Sequence, residues 1–381
     1  MKSGWVTKKL GDVCEILDSR RIPITRKDRK PGNIPYYGAT GQVDSVADYI
    51  FDERLLLLGE DGADWSAGAN SAYIIEGKSW VNNHAHVLRP LDIVSDCWLM
   101  YYLNATDLNR WISGTTVPKL NQGNMCEIPI PIPPLAEQKR IVAKIDAAFE
   151  KIDALKANAE KNLANAKELF QSALDEAMRP KKGWVEKRLG EVANIRVGPF
   201  GSSLHKADYV ENGVPLVNPC HMKDSKIADR ISTQVSHDKA ESLKEYRLKA
   251  GDIVFARRGE IGRLAFVSEK EDGYLCGTGS LFARFRERYD IQFLYFFFSS
   301  KSFVEKLEML STGTTMKSIN SSALESMCFS VPPMNEQRRL AKQLDSLSQK
   351  TETLQQNYSQ QISDCAEMRQ AILREAFEGR L

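Results

Sequence analysis

"PPLAEQKRIVAKID" occupies residues 133–146, and "PPMNEQRRLAKQLD" repeats its pattern at residues 332–345, an offset of 199. The same offset relates "SGTTVPKLN", which begins at Ser113, to "TGTTMKSIN", which begins at Thr312. This period is several times longer than the roughly 20–50 residues of solenoid repeats. The sequence therefore contains two copies of one large unit, and both copies end in the same way.

The two copies also begin in the same way. "GWVTKKLGDV" starts at Gly4 and "GWVEKRLGEV" starts at Gly183, an offset of only 179, so the second copy carries 20 additional residues before its constant end. Between these constant parts the two copies share little. The constant parts indicate a common scaffold, and the variable parts indicate two globular segments that differ from each other.

The constant ends predict long helices. After each Pro-Pro step, which favours helix initiation, apolar residues recur at spacings of three and four, as in a coiled-coil seam. The predicted seam residues are Ile145, Ala148, Ile152, Leu155, Ala159, Ala166, Leu169 and Ala173 in the first copy and Leu344, Leu347, Leu354, Tyr358, Cys365, Met368 and Ile372 in the second. Asn162 and Gln361 interrupt both seams at one register, where they either lock the register or mark a loosened seam. Some 44 residues make a rod of roughly 65 Å, and the matching seams predict that the two helices pair.

Each globular segment alternates strand-like and helical stretches, which predicts an α/β (mixed α+β) fold. We predict globular domains at residues 1–132 and 180–331 and long helices at 133–179 and 332–381. The expected architecture is two globular domains separated by two long antiparallel coiled-coil helices. Such a dumbbell would have pseudo-two-fold symmetry within one chain.

Composition places the chain among ordinary globular proteins of two or more domains. It has 381 residues, 42% apolar and 27% charged, and a net charge of +2, which argues against a surface coated in positive charge. Seven scattered cysteines without a CxxC pair predict free thiols in a reducing cytoplasm. No apolar run is long enough for a membrane span, and the amino terminus has no apolar signal region. We therefore predict a cytoplasmic protein without a membrane partner.

Sequence signatures of catalysis are largely missing. "EGKSW" contains Gly77, Lys78 and Ser79, but Ala72 stands where a Walker A loop requires glycine. His84 and His86 are two residues apart with no third ligand nearby by spacing, so a structural or solvent-facing pair is favoured over a metal site. We predict no metal, no cofactor and no enzymatic activity.

Signals for nucleic-acid binding are moderate. "RRIPITRKDRK" at residues 20–30 has six basic residues against one Asp28. Such a run is usually a solvated face, but in a turn-rich segment of a near-neutral protein a phosphate-contacting loop is almost as plausible. The candidates in it are Arg20, Arg21, Arg26 and Lys27.

Two loops that follow apolar strands carry opposite charges. "ARRGEIGRLA" presents Arg257, Arg258 and Arg263, and arginine forks pair with guanine edges or with phosphates. The corresponding loop of the first copy, "GEDGAD", presents Glu60 and Asp61, which could accept from cytosine amino groups. A polar loop without a ligand is the favoured alternative for the acidic stretch.

The Gly-Thr-Thr turns offer hydroxyls and free amides that could hold a backbone phosphate. A helix cap and domain hinge without a ligand is an equally open interpretation. The residues concerned are Thr115, Thr116 and Lys119 in the first copy and Thr314, Thr315 and Lys317 in the second.

Taken together, these motifs resemble the specificity (S) subunits of type I restriction–modification systems. The resemblance covers the whole chain and rests on the two "PP…EQ" helix starts, the two Gly-Thr-Thr turns, the two "GWV" entries and "GDIVFARRGEIGRLAFV". Each motif is weak alone, but they occur in order, twice, at a locked offset.

The resemblance implies a non-catalytic subunit that binds double-stranded DNA. Each globular segment would be a target-recognition domain for one half of a split, asymmetric site. The helices would set the spacer and dock two methyltransferase (M) subunits, and restriction (R) subunits would join through those. Methylation, ATP hydrolysis and cleavage would belong to the partner subunits.

Two rival functions remain open at this point. One is a coiled-coil scaffold with paired ligand-binding domains and no role with DNA. The other is an enzyme that uses His84 and His86 or Glu60 and Asp61.

Overall fold

A computed structural model describes residues 4–200, 203–223, 225–313 and 317–381, except the side chain of Lys206. The first copy contains ten strands, β1 to β10: Val6–Lys9, Cys14–Ile16, Ile34–Gly38, Gly41–Val46, Phe51–Asp52, Leu55–Gly59, Ala72–Ile75, Lys78–Val81, Ala85–Pro90 and Pro129–Ile132. Its helices, α1 to α4, are Leu10–Val13, Asp96–Ala105, Gln122–Cys126 and Leu135–Ala177.

The second copy, in its described residues, repeats this order with further short elements. Its strands, β11 to β22, are Val185–Arg188, Ala193–Val197, Tyr209–Val210, Val214–Val217, Met222–Lys223, Lys226–Ile227, Gln234–Val235, Ile253–Ala256, Leu264–Phe266, Leu275–Cys276, Ser280–Phe285 and Cys328–Val331. Its helices, α5 to α10, are Leu189–Val192, His237–Ser242, Ile291–Ser299, Lys301–Met309, Ser321–Ser326 and Met334–Phe377.

Each copy builds its globular domain on one antiparallel four-stranded sheet. The strand order is β2-β9-β6-β7 in the first domain and β12-β21-β18-β19 in the second, so the two sheets have the same topology. A second sheet follows in each domain, β4-β3-β8-β5 and β13-β17-β14-β20, with one parallel pair in each. The predicted fold class, α/β with two repeated globular domains and a long helix after each, is confirmed.

The central strand of each main sheet is buried on both faces. Along β6, Leu56 and Leu58 belong to the core shared with the helices, whereas Leu55 and Leu57 belong to the core facing the second sheet. Such burial explains why "LLLL" lacks the alternation of a half-exposed strand. Strand β18 repeats this division, so the loops that follow β6 and β18 start from fixed positions.

The constant "GWV" entries fix the beginning of each long helix. Strand β1 pairs antiparallel with β10, with Val6 opposite Ile132, and β11 pairs in the same way with β22. Since β10 and β22 lead directly into α4 and α10, each entry strand ties a long helix to its own globular domain. This pairing gives a physical reason for the constancy of both sequence parts.

The glutamine of each "EQ" motif is a buried anchor. The Gln138 side chain accepts from the N–H of Ser95 at 2.8 Å and donates to the carbonyls of Ile93 and Pro133 at 3.1 and 2.8 Å. Gln337 accepts from Asp290 N–H and donates to Pro332 O in the second copy. These bonds satisfy loop and helix-start groups that burial would otherwise leave unpaired.

The chain divides into two compact units, residues 1–162 with 358–381 and residues 163–357. In the first unit, the end of α10 packs on the globular domain, where Phe377 lies edge-to-face with Trp98 and Tyr102 at ring distances of 4.9 and 5.1 Å. In the second unit, Leu174 near the end of α4 and Met178 just after it lie in the main core. Each globular domain therefore packs against the start of one long helix and the end of the other, whereas the predicted boundaries assigned each helix to a segment of its own.

The predicted seam is wrong for four residues. Leu155, Leu169, Leu354 and Met368 are 57%, 55%, 40% and 49% exposed. The buried stripe of α4 follows four other residues of the predicted seam, Ile145, Ile152, Ala159 and Ala166, which are spaced by seven. A stripe through alanines makes a narrow contact, and the larger apolar side chains beside it stay outside.

The equivalent stripe of α10 runs through Leu344, Thr351 and Cys365, with Ile372 half-buried at the next heptad position and Leu347 half-buried beside the stripe. Asn162 and Gln361 are both exposed and lie outside the stripes, so neither locks a register. Within the first unit the helices run antiparallel, since Arg140 bonds to Leu381 O and Arg369 pairs with Asp153. In the described part of the chain, every helix is too short or too polar to cross a membrane.

Candidate nucleic-acid interface

In each domain, the loop after the central strand is joined to the Gly-Thr-Thr turn. Leu120 N–H donates to Glu60 O at 2.8 Å, and Ile319 N–H donates to Arg257 O at 2.9 Å. Bridges between Asp61 and Lys119 and between Arg258 and Ser318 extend the same contact. The two candidate loops of each copy therefore form one surface, and Glu60 occupies the place that Arg257 occupies in the second domain.

The Gly-Thr-Thr turn is a closed, exposed loop. Ser113 and Lys119 exchange two backbone hydrogen bonds of 2.9 and 2.8 Å, and Thr312 and Ser318 repeat them in the second copy. Gly114 has a φ of 91°, a conformation that favours glycine.

Thr115 and Thr116 are exposed at the tip of the first loop, whereas Thr314 and Thr315 lie outside the described residues. The following helices are capped by Asn121 and Asn320, so in the first copy the cap does not come from the threonines.

In the acidic loop of the first domain, Glu60 pairs with two basic side chains. Glu60 is buried, one of its carboxylate oxygens pairs with Lys119 Nζ at 2.7 Å, and the other pairs with Arg21. Burial raises the pKa of Glu60, but the hydrogen bonds from Lys119 and Arg21 outweigh it and hold the pKa below its ordinary value. Asp61 pairs with His84 Nδ1 at 2.5 Å. Both carboxylates are already engaged, and the exposed side of this surface carries Lys119.

The basic run of residues 20–30 divides into internal and external side chains. Arg21 is largely buried in its pair with Glu60, and it donates to Ala85 O at 2.8 Å. Arg20 lies over the Phe51 ring at 4.6 Å and bonds to Glu53. Arg26 and Lys27 are exposed in a short turn, where they remain candidates for phosphate contact.

A buried network below this surface contains three possible metal ligands. The His86 ring nitrogens lie 2.5 Å from an Asp18 carboxylate oxygen and 2.7 Å from Leu120 O, and Glu60 is 3.8 Å away. Sequence spacing offered His86 no third ligand, but the fold brings ligand atoms of Asp18, Glu60 and His86 within 4.8 Å of one another.

Both ring nitrogens already have partners, and Arg21 and Lys119 supply positive charge to the two carboxylates. The arrangement therefore fits an anchor for the Gly-Thr-Thr loop better than a metal site.

Acid is expected to weaken this anchor. Burial raises the pKa of Asp18. The hydrogen bonds with His86 and Val87 N–H and the charges of His86 and Arg21 lower it by more, so the folded-state pKa lies below the ordinary value. The ionised carboxylate therefore stabilises the fold above about pH 4, and that contribution is lost as the pH falls through the lower folded-state pKa. We expect the stability difference between the wild type and Asp18→Asn to shrink below about pH 4. Urea unfolding at several pH values measures this stability difference, and the exposed-site variant Asp92→Asn is the control. A difference between the wild type and Asp18→Asn that does not change with pH contradicts the anchor.

The second domain presents guanidinium groups in place of the acidic pair. Arg257 is half-buried, and its Nε has no acceptor among the described residues. Burial, with the charge of Arg258 beside it, lowers the pKa of this guanidinium. Arg258 is exposed, whereas Arg263 donates to Pro219 O at 3.1 Å and pairs with Glu260. Lys317 pairs with Glu308 at 3.2 Å.

Two residues at this interface were missed by sequence reasoning. Asp18 follows β2 and anchors the network, and Phe200 follows β12 and is 61% exposed beside Arg257. The available signal was position, because Asp18 and Phe200 lie two and three residues after the edge strand of the main sheet. Neither residue type points to DNA by itself.

The family model for the type I restriction modification DNA specificity domain matches residues 2–165 and 181–363. The chain belongs to this family. A Haemophilus influenzae protein named as a type I restriction enzyme specificity subunit is 27% identical over 91% of this chain and 88% of its own length. The MjaVIII specificity subunit of Methanocaldococcus jannaschii is 26% identical over 90% of this chain and 86% of its own.

Solved structures agree with this family at the level of the fold. A chain from a study of type I restriction–modification complex assembly aligns over 100% of this specificity-family chain and 99% of its own, with a TM-score of 0.78 and 20% identity. The HsdS subunit from Thermoanaerobacter tengcongensis covers 100% of this chain and 98% of its own, with a TM-score of 0.61 and 20% identity.

Proposed function

We propose that this chain is the DNA-specificity subunit of a type I restriction–modification complex and that each globular domain recognises one half of a split, asymmetric site. The observation that carries the proposal is the exchange of chemistry at one structural place. Two domains with the same main-sheet topology present Glu60 and Asp61 in one copy and Arg257 and Arg258 in the other. A symmetric protein dimer recognises a palindrome, whereas a duplicated chain with different surfaces suits two different half-sites.

In the second domain, Arg257 and Arg258 are the groups available for base contact. The Arg257 Nε lacks an acceptor among the described residues, and a guanidinium can donate two hydrogen bonds to guanine O6 and N7 in the major groove. In the first domain the carboxylates are occupied by cations. Lys119, Thr115, Thr116, Arg26 and Lys27 would contact the phosphate backbone there, and Glu60 would hold Lys119 in place.

The long helices would set the spacer and dock the partners. Leu155 and Leu169 of α4 correspond, at the offset of 199, to Leu354 and Met368 of α10, and all four are exposed. Equivalent apolar positions on two helices suit two copies of one partner, the methyltransferase (M) subunit. Restriction (R) subunits would join through M, and these partners would supply methylation and cleavage.

A genome-wide map of methylated adenines, with and without this gene, tests the proposal. We expect one split motif to disappear on deletion and the double variant Arg257→Ala, Arg258→Ala to alter or abolish recognition of only one half-site. Arg230→Ala, at an exposed arginine of the same domain, serves as control. A map that deletion leaves unchanged, together with no DNA affinity of the complex formed with its methyltransferase, contradicts the proposal and favours a scaffold that does not act on DNA.

A further inference from the structure

Phe200 and Arg257 are the counterparts, by strand register and sequence count, of an ion pair in the first domain. The edge strands pair in equivalent ways. Strand β2 pairs with β9, with Cys14 opposite Pro90, and β12 pairs with β21, with Ala193 opposite Phe285. Counting onward from the edge strands, Phe200 is the sequence counterpart of Arg21, although residues 18–20 form a 3₁₀ turn in the first domain whereas β12 continues to Val197 in the second. The backbone bond from Ile319 to Arg257 has already placed Arg257 where Glu60 lies.

The chemistry at these two places differs between the domains. Arg21 and Glu60 neutralise each other inside the first domain. In the second domain, the Arg257 guanidinium carbon lies 5.7 Å from the centre of the Phe200 ring, a cation–π contact that does not use the guanidinium N–H groups as hydrogen-bond donors.

Two independent observations indicate a ligand at this pair. The Arg257 Nε is buried without an acceptor in the described part of the chain, although burying an unpaired donor is costly. Phe200 is 61% exposed, so its ring is only partly covered by the protein. A single exposed phenylalanine is ordinary on a protein surface, but here it adjoins a half-buried guanidinium that has no carboxylate partner among the described residues.

We propose that Phe200 and Arg257 act as one specificity-determining pair, in which Arg257 donates to a guanine and Phe200 packs against the 5-methyl group of a neighbouring thymine. The inference rests on the proposed DNA-binding function and names the base contacts of the second domain. Arginine recognises guanine through O6 and N7, which lie in the major groove. The thymine methyl is the apolar group that bases present in that groove, so an aromatic ring beside this arginine meets it.

The test uses the complex of the full chain with its methyltransferase subunit and a library of duplexes in which the second half-site is randomised. The wild type is expected to select a guanine next to a thymine. Arg257→Lys keeps the charge but removes the fork. We expect it to lose about tenfold or more of the preference for that guanine while the first half-site is unchanged.

Uracil in place of the thymine removes only the methyl group. It is expected to weaken wild-type binding several-fold and to leave binding by Phe200→Ala unchanged, whereas Tyr209→Ala, at an exposed aromatic residue of the same domain, should respond as the wild type does. The pair is ruled out if Phe200→Ala binds the thymine duplex and the uracil duplex more weakly than the wild type by the same factor, because the methyl group then makes no contact with Phe200. A uniform loss over all bases in Arg257→Lys also overturns it, because that result marks a phosphate contact.

If the half-site selected by the wild type contains no guanine next to a thymine, the Phe200–Arg257 proposal is wrong while the proposed function stands. A wild-type complex that selects no sequence at all overturns both.

Discussion

Replacing Ala376 by aspartate is expected to destabilise the unit of residues 1–162 and 358–381 by about 3–5 kcal/mol, because a carboxylate would be buried without a partner. Ala376 is fully buried at the end of α10, in the core that contains Trp98, Leu103 and Ile141. The neighbouring Phe377 contacts Trp98, so no solvent-facing rotation of the helix end is available without breaking that contact. A domain typically has about 5–15 kcal/mol of stability in total, so the loss would be a large share of it.

Ala371→Asp is the matched control, since Ala371 is exposed on the same helix and receives the same charge. Calorimetry should show the transition of the first unit lowered by about 10 °C in Ala376→Asp and by only about 1–2 °C in Ala371→Asp. Equal shifts would mean that the end of α10 does not close this core. The expected contrast follows from packing, because both substitutions have the same helix propensity cost.

Asp252→Ala is expected to cost the second unit about 3 kcal/mol. Asp252 is buried and takes two bonds from Arg284, at 2.8 Å from Nε and 2.6 Å from Nη2, and one from Lys249 N–H at 2.8 Å. Removing the carboxylate leaves a buried N–H unsatisfied and a guanidinium without its bidentate partner. Because the Arg284 side chain is 33% exposed, water recovers part of the loss, and the figure is at the lower end for a broken buried pair.

The control for this pair is Glu241→Ala. Glu241 is 68% exposed and meets Arg247 at 3.5 Å, so its loss should cost less than about 1 kcal/mol. Urea unfolding of Asp252→Ala, Arg284→Ala and the double variant should show a double-variant cost clearly below the sum of the single costs. Additive costs would mean that Asp252 and Arg284 do not stabilise the unit through their ion pair. Asp252 directly precedes β18, so the same variant tests how firmly that strand presents Arg257.

The proposed base-contact surface rests on the difference between two corresponding places in the two domains. In the first domain, Arg21, Glu60 and Lys119 form a closed set of ion pairs, and the exposed Gly-Thr-Thr loop is held over them. In the second domain, Arg257 lacks an acceptor among the described residues and adjoins Phe200. Exchange of these few side chains on a constant frame would give the two domains different base preferences.

The sequence by itself determined the duplication, the fold class and the positions of the long helices. The locked offset of 199 placed both helix starts, and the predicted limits of 133–179 lie close to the observed α4, Leu135–Ala177. Local patterns suffice for these features, because helix periodicity, Pro-Pro steps and glycine turns are written in neighbouring residues.

Only the tertiary structure decided which helix face is buried and which loop charges remain available. Periodicity placed both Leu155 and Ala159 in the seam, because it records apolar character and not the width of the contact, and only Ala159 is buried. The pairing of Glu60 with Arg21 and Lys119 joins residues up to about a hundred positions apart. Strand register in the sheets brings them together, and register is a property of the whole domain, so no local pattern carries it.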